Sequence, residues 1–104
     1  MKHNISKKLR DLVWITYVGR NFEGECYSCL CKIDVFNFHA GHIIPECMNG
    51  ELCLENLRPI CITCNLSMGK KNMKEFIIKN NLPGIKNFNI NRYQKIGDML
   101  IKIN

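Results

Sequence analysis

Long apolar runs are missing from this chain: nothing approaches the about 18 consecutive apolar residues that a membrane span requires. The opening residues, Met1-Lys2-His3-Asn4-Ile5-Ser6-Lys7-Lys8, lead into mixed polar sequence and carry no apolar core of a secretory leader. The sequence therefore predicts a protein that is not secreted and works in a reducing compartment, cytoplasm or nucleus. Proline is scarce, at three residues, and neither a repeat nor a low-complexity segment is present. Acid is scarce too, with nine Asp and Glu against 15 Lys and Arg. What is plentiful is apolar sequence, 46% of the chain, which argues against disorder. A chain of 104 residues fits one domain, and a domain of that size often needs a staple beyond its core.

The seven cysteines point to the kind of staple. An odd number leaves at least one thiol unpaired under any disulfide scheme, and a reducing compartment favours metal over disulfide. Charge is unevenly placed. Residues 1–65 hold seven basic and seven acidic side chains, whereas residues 66–104 hold eight basic and two acidic ones. The whole excess of +6 thus lies in the C-terminal part, which suits a polyanion such as nucleic acid. The plainer reading is a solvated basic face.

Secondary structure is legible in outline. Ser6 to Val18 reads as a helix capped by Ser6 and stopped by Gly19, with Leu9, Leu12, Val13 and Thr16 at helical spacing. Trp14 and Tyr17 on it read as core. Cys26 to Cys31 forms a tight turn. Asp34 to Ile44 reads as one extended segment, rich in β-branched and aromatic residues, with Phe36 and Phe38 packed on the zinc module. Pro45 to Glu55, carrying Asn49-Gly50, reads as a loop. Leu57 to Ile60 is a short strand at an edge, because Pro59 cannot donate to a ladder. A helix follows from Ile62, with Thr63 or Asn65 near its start and Gly69 near its end. Another covers Met73 to Asn80, and Leu82-Pro83-Gly84 breaks the chain. A last helix is expected through Tyr93, Ile96, Leu100 and Ile103. That face could join two copies in a homodimer or pack on its own core.

Two Cys-x-x-Cys knuckles, Cys26/Cys29 and Cys61/Cys64, stand far apart in sequence. Each can present two thiolates, and four complete a tetrahedral Zn²⁺ site with no open position. Such a site is structural. Four thiolates and one Zn²⁺ sum to −2, taking the chain from +6 to +4. Cys31 could replace Cys29 only in a less usual Cys-x4-Cys arrangement. Cys31, Cys47 and Cys53 are most simply free thiols.

Between and beyond the knuckles lie Phe38-His39-Ala40-Gly41-His42-Ile43-Ile44-Pro45, then Glu55-Asn56-Leu57-Arg58-Pro59-Ile60-Cys61-Ile62-Thr63-Cys64-Asn65, then Leu66-Ser67-Met68-Gly69-Lys70. The His-Ile-x-Pro run, the Asn-Leu pair and the Cys-x-x-Cys-Asn in this order resemble the HNH endonuclease family, which has the ββα-metal nuclease fold. The resemblance covers residues 25–73. It implies that His42 is the general base, that Asn56 pins the loop and orients His42, and that Asn65 binds a catalytic divalent ion. It also implies a DNA substrate, products with 5′-phosphate and 3′-hydroxyl ends, and a helix whose Lys70 and Lys71 face the phosphates. The chemistry is consistent with that. A His near its ordinary pKa suits a base, and Mg²⁺ or Mn²⁺ on oxygen ligands can neutralise a leaving oxygen.

The chain departs from the family at Gly41, where many members carry an acidic ligand. Residues 39 and 41 of a strand share a face. His39 is therefore expected to lean into the space at Gly41 and to share the ion with Asn65, which favours ions softer than Mg²⁺. Substrate phosphate and water could fill the shell instead, or the site could be inactive. Arg58 could touch phosphate or pair with Glu55. The expected fold is α+β: an N-terminal helix and connector over 1–24, a zinc-stapled HNH core over 25–73 and a basic helical extension over 74–104. Two further classes stay open, a non-catalytic zinc module that binds nucleic acid and a zinc-stabilised protein-interaction domain.

Overall fold

The computed structural model describes residues 5–88 and the backbone of two further strands, 93–96 and 99–102. Helix α1 spans Lys7–Tyr17, and the Ser6 hydroxyl accepts from Leu9 N–H at 3.2 Å, satisfying one donor of the first turn. It ends as the sequence pattern indicates. Val18 N–H and Gly19 N–H both reach Trp14 O, and Gly19 takes φ +109°, where a side chain would be strained. The inner face buries Val13 and Trp14.

Strands β1 (Glu23–Glu25) and β2 (Lys32–Asp34) pair antiparallel around the first cysteine turn. Leu30, at φ +64°, lets that turn close with Cys26 N–H on Cys31 O at 2.8 Å. The extended segment expected over 34–44 is broken in two. Asp34 Oδ1 accepts from Phe36 N–H and from the Asn37 amide, an Asx turn that competes with the ladder. Phe38 follows it into the core against Trp14, ring centroids 4.8 Å apart. Phe36 does not pack on the cysteine module as expected; it is 77% exposed, at the turn's tip, beside Phe22.

Strands β3 (His39–His42) and β4 (Leu57–Ile60) form an antiparallel pair in the register His39↔Ile60, Gly41↔Arg58 and His42↔Leu57. Pro59 has no N–H to give, and its carbonyl accepts from Tyr27 N–H at 3.0 Å, joining β4 to the cysteine turn. The intervening loop holds two single 3₁₀ turns, Glu46–Met48 and Leu54–Asn56, and turns back at Asn49, φ +66°. Helix α2 (Ile62–Met68) starts on Cys61, whose thiol, in place of the expected Thr63 or Asn65, accepts from Cys64 N–H. It stops at Gly69, φ +55°. Helix α3 (Met73–Lys79) is capped by Asn72 Oδ1, which accepts from Lys74 and Glu75 N–H. Leu57, Ile60, Met73, Ile77 and Val13 make the fully buried centre, where β3–β4, α1 and α3 meet.

A 3₁₀ turn over Pro83–Phe88 returns the chain to the cysteine turn: Gly84 N–H donates to Ser28 O at 2.8 Å. The last helix of the sequence reading is replaced by a hairpin, β5 (Tyr93–Ile96) and β6 (Met99–Lys102), with Ile96 opposite Met99. The pattern misleads because Tyr93, Ile96 and Leu100 fit a helical stripe, yet Gly97-Asp98 is a two-residue hairpin signal between β-forming residues. Side chains there, and with them the homodimer face, lie outside the described residues. The architecture is α+β with small antiparallel sheets, and among the described residues no helix is long and apolar enough to cross a membrane.

Candidate active groove and metal centre

Folding brings the two knuckles together. The Sγ atoms of Cys26, Cys29, Cys31 and Cys61 all lie within 4.8 Å of one another, close enough to share one metal ion. Cys29 Sγ and Cys61 Sγ are 3.8 Å apart. Four sulfurs at about 2.3 Å from a tetrahedral Zn²⁺ are spaced by about 3.8 Å, so this edge fits the ion, and it is far too long for a disulfide. Cys64, the second thiol of its knuckle, stands outside that mutually close set, although its N–H donates to Cys61 Sγ at 3.3 Å. Cys31, read from sequence as a free thiol, is drawn in by the Cys26–Cys31 turn.

Backbone amides already face the sulfurs. Cys26 Sγ accepts from the N–H groups of Ser28, Cys29 and Cys61 at 3.3–3.5 Å. Such donors orient sulfur ligands and favour the thiolate. Burial nonetheless pushes the Cys26 thiol up, and these amides offset only part of the shift. Cys29 moves the other way. Burial raises it, but hydrogen bonds from the Cys31 amide and thiol and from Cys64 outweigh that and bring it down to about 7. Desolvation, then the hydrogen bonds with Cys29 and Cys61, push Cys31 up to about 12. Burial first, then the Cys26 charge, raises Cys64. Without a cation the cluster cannot ionise all its thiols together, and a divalent ion removes that conflict.

Along β3 lies an open groove of about 980 Å³. Strand β3 supplies its floor, His39 to His42, and α2 with the turn after it supplies one wall, Asn65 and Met68 to Lys71. Pro45, Glu46 and Cys47 form the other wall, and Arg10 reaches in from α1. Asn65 Nδ2 and His39 Nδ1 are 3.4 Å apart. Asn56, 9% exposed, sits behind the floor: its Oδ1 accepts from Ile44 N–H at 2.9 Å, and its Nδ2 donates to Ile44 O and Glu51 O at 3.0 and 2.9 Å. It thereby fixes the segment that leaves β3 directly after His42.

The structure leaves no space at Gly41 for His39 to occupy. A Cβ there would stand 2.5 Å from Ile60 Cδ1 and 3.4 Å from Met73 Cε, so the position is closed by the core. His39 instead faces Asn65 across the groove. Lys70 and Lys71 lie on the groove's rim. Arg58 is outside the lining. Its guanidinium stacks 3.9 Å over the Tyr17 ring and donates to the backbone carbonyls of Glu55 and Leu57, not to the Glu55 carboxylate. Sequence reading misses Arg10, which donates to Val35 O and Phe38 O and stacks 4.0 Å from the Phe38 ring at the groove's end. It also misses Glu46, the groove's one carboxylate among the described residues. Neither carries a local signal, since each reaches the groove only through tertiary folding. Set against models of protein families, curated proteins and solved structures, the chain finds no match.

Proposed function

We propose that the chain is a zinc-stapled, metal-dependent endonuclease of the HNH type that hydrolyses DNA phosphodiester bonds. The observation that carries this reading is the convergence of His42, His39 and Asn65 on one groove whose rim holds Arg10, Lys70 and Lys71. In this reading a phosphate lies along the basic rim and His42 takes a proton from water. The water oxygen bonds to phosphorus, the bond to the 3′ oxygen breaks, and the products are 5′-phosphate and 3′-hydroxyl ends. Asn56 acts through the backbone, holding His42's strand end in register. The Asn65 amide nitrogen lies 3.4 Å from His39 Nδ1, so the two side chains are neighbours in the groove, and an amide turned to present Oδ1 would set an oxygen beside the imidazole nitrogen for one divalent cation. Such an ion, Mg²⁺, Mn²⁺ or a softer one, would supply charge neutralisation at the leaving oxygen.

Plasmid nicking tests the reading. Wild type is expected to relax supercoiled DNA with at least one of Mg²⁺, Mn²⁺, Co²⁺ or Ni²⁺, and His42→Ala to bind DNA without cutting it. Equal cutting by the two proteins would sink the role of His42. The second reading, a zinc module that binds nucleic acid without cutting, is favoured by the closed position at Gly41, where the family's usual acidic ligand has no room. It predicts no nicking with any ion from protein that retains zinc and shifts DNA in a gel.

A further inference from the structure

The two knuckles offer four thiols to a tetrahedral ion, and folding sets a fifth, Cys31, within 4.8 Å of three of them, Cys26, Cys29 and Cys61. Cys26, Cys29 and Cys61 belong to both ways of choosing the four, the knuckle pairs and the mutually close set that includes Cys31. We infer that these three are constant ligands and that Cys31 and Cys64 alternate at the fourth position.

The two alternates come from opposite sides. Cys64 is buried at 6% exposure in the first turn of α2, where its backbone N–H is already committed to Cys61 Sγ. Cys31 is exposed and lies at the end of the turn that Leu30 closes in a left-handed conformation. Its sulfur nonetheless lies within 4.8 Å of those of Cys26, Cys29 and Cys61. The exchange balances without a co-reactant: one Zn–S bond forms to Cys31 as one breaks at Cys64, and the proton lost by the first thiol is taken up by the second. The total of four thiolates and the charge stay fixed. Because both states are tetrathiolate, neither leaves the ion open to substrate. The consequence is a staple that survives loss of either alternate and that exposes its exchangeable ligand to solvent. This holds whether or not the groove cuts DNA.

Cobalt substitution reads the ligand set directly, through the thiolate-to-metal charge-transfer bands and the ligand-field spectrum of the Co²⁺ protein. Cys31→Ser and Cys64→Ser are each expected to keep one ion per chain by native mass spectrometry, with tetrathiolate spectra. The double variant is expected to lose the four-sulfur signature. If Cys64→Ser alone loses that signature while Cys31→Ser matches wild type, Cys31 is a bystander and the inference is wrong. The converse pattern, with only Cys31 required, overturns it equally. A wild-type measurement guards against misfolded variants. Timed iodoacetamide labelling of the zinc-loaded chain, read by peptide mass spectrometry, compares Cys31 with the exposed Cys47. Slower labelling of Cys31, with zinc retained after it reacts, is expected. Labelling at the Cys47 rate would overturn the inference.

Discussion

Asn56 shows how one side chain can hold a site without touching the chemistry. Its amide uses acceptor and donors at once, on Ile44 N–H, Ile44 O and Glu51 O. Asn56→Ala leaves those backbone groups short of partners and is expected to cost about 2–3 kcal/mol, at about 1 kcal/mol per bond. Asn56→Asp is expected to be no better, since a carboxylate cannot donate to the two carbonyls. The midpoint of urea unfolding measures both, and an unchanged midpoint for either would refute the argument. Gly41 gives a second test at this scale. A Cβ there meets the fully buried Ile60 at 2.5 Å, so Gly41→Ala is expected to lose about 1–3 kcal/mol through overpacking. Gly41→Asp is expected to lose more, because it sets a carboxylate against Ile60 and Met73. An acid placed there would then lower stability without raising nicking. A gain in nicking by Gly41→Asp would show that the strand can open and that the closed position is no bar.

Elements were legible where local signals agreed. Ser6 and Gly19 bracket α1, the helix expected over Met73 to Asn80 is observed over Met73–Lys79, and the strand Leu57–Ile60 appears with the bounds its pattern indicates. They were illegible where two patterns overlapped. Asp34 and Asn37 cut a β-rich run because a side-chain turn outcompetes the ladder, and the C-terminal stripe fits two periods at once. Of the candidate site, the two Cys-x-x-Cys pairs could be read from spacing, whereas the two histidines were picked out only by the resemblance of their surroundings to a known motif. Cys31 and Arg10 could not, since their places depend on a left-handed Leu30 and on how α1 packs against β4. The turn Pro83–Phe88 also shows no signal of its own role. Gly84 lies against the cysteine turn so closely that a Cβ would meet Tyr27 O at 2.0 Å and Ser28 O at 2.3 Å, both backbone atoms. Asn87 donates to Tyr27 O, and Phe88 packs on the Tyr27 ring at 5.6 Å. Gly84→Ala must therefore push this turn off the metal centre. It is expected to lower the thermal midpoint by several degrees and to speed zinc transfer to a chromogenic chelator. An unaltered transfer rate would mean that the turn does not support the centre.

At the scale of the molecule, a metal held by the cysteine cluster and the charge of the chain would act together. A core of few fully buried side chains is small for a domain, and the cysteine group ties α2, the β3–β4 pair and the first turn at one point. Binding free energy at such a site is folding free energy, so stripping zinc with a strong chelator is expected to unfold the chain cooperatively by circular dichroism. Retained native signal after complete metal loss would show that the apolar core suffices. The same staple sets the wall of the groove, since α2 starts on Cys61 and ends just before Lys70 and Lys71. DNA affinity is therefore expected to fall with zinc removal and, in the zinc-loaded protein, to fall steeply with salt. Each phosphate contact contributes about 0.9 to the slope of log K against log salt. Lys70→Ala and Lys71→Ala, both exposed and outside the core, are each expected to lower that slope by about one without changing the thermal midpoint. Fluorescence anisotropy with a labelled duplex across a potassium chloride series measures it. A slope near zero in the wild type would remove nucleic acid as the partner and leave the zinc-stabilised protein-interaction domain as the reading. A steep slope that neither lysine alters would move the phosphate contacts away from the groove, to basic residues elsewhere on the chain.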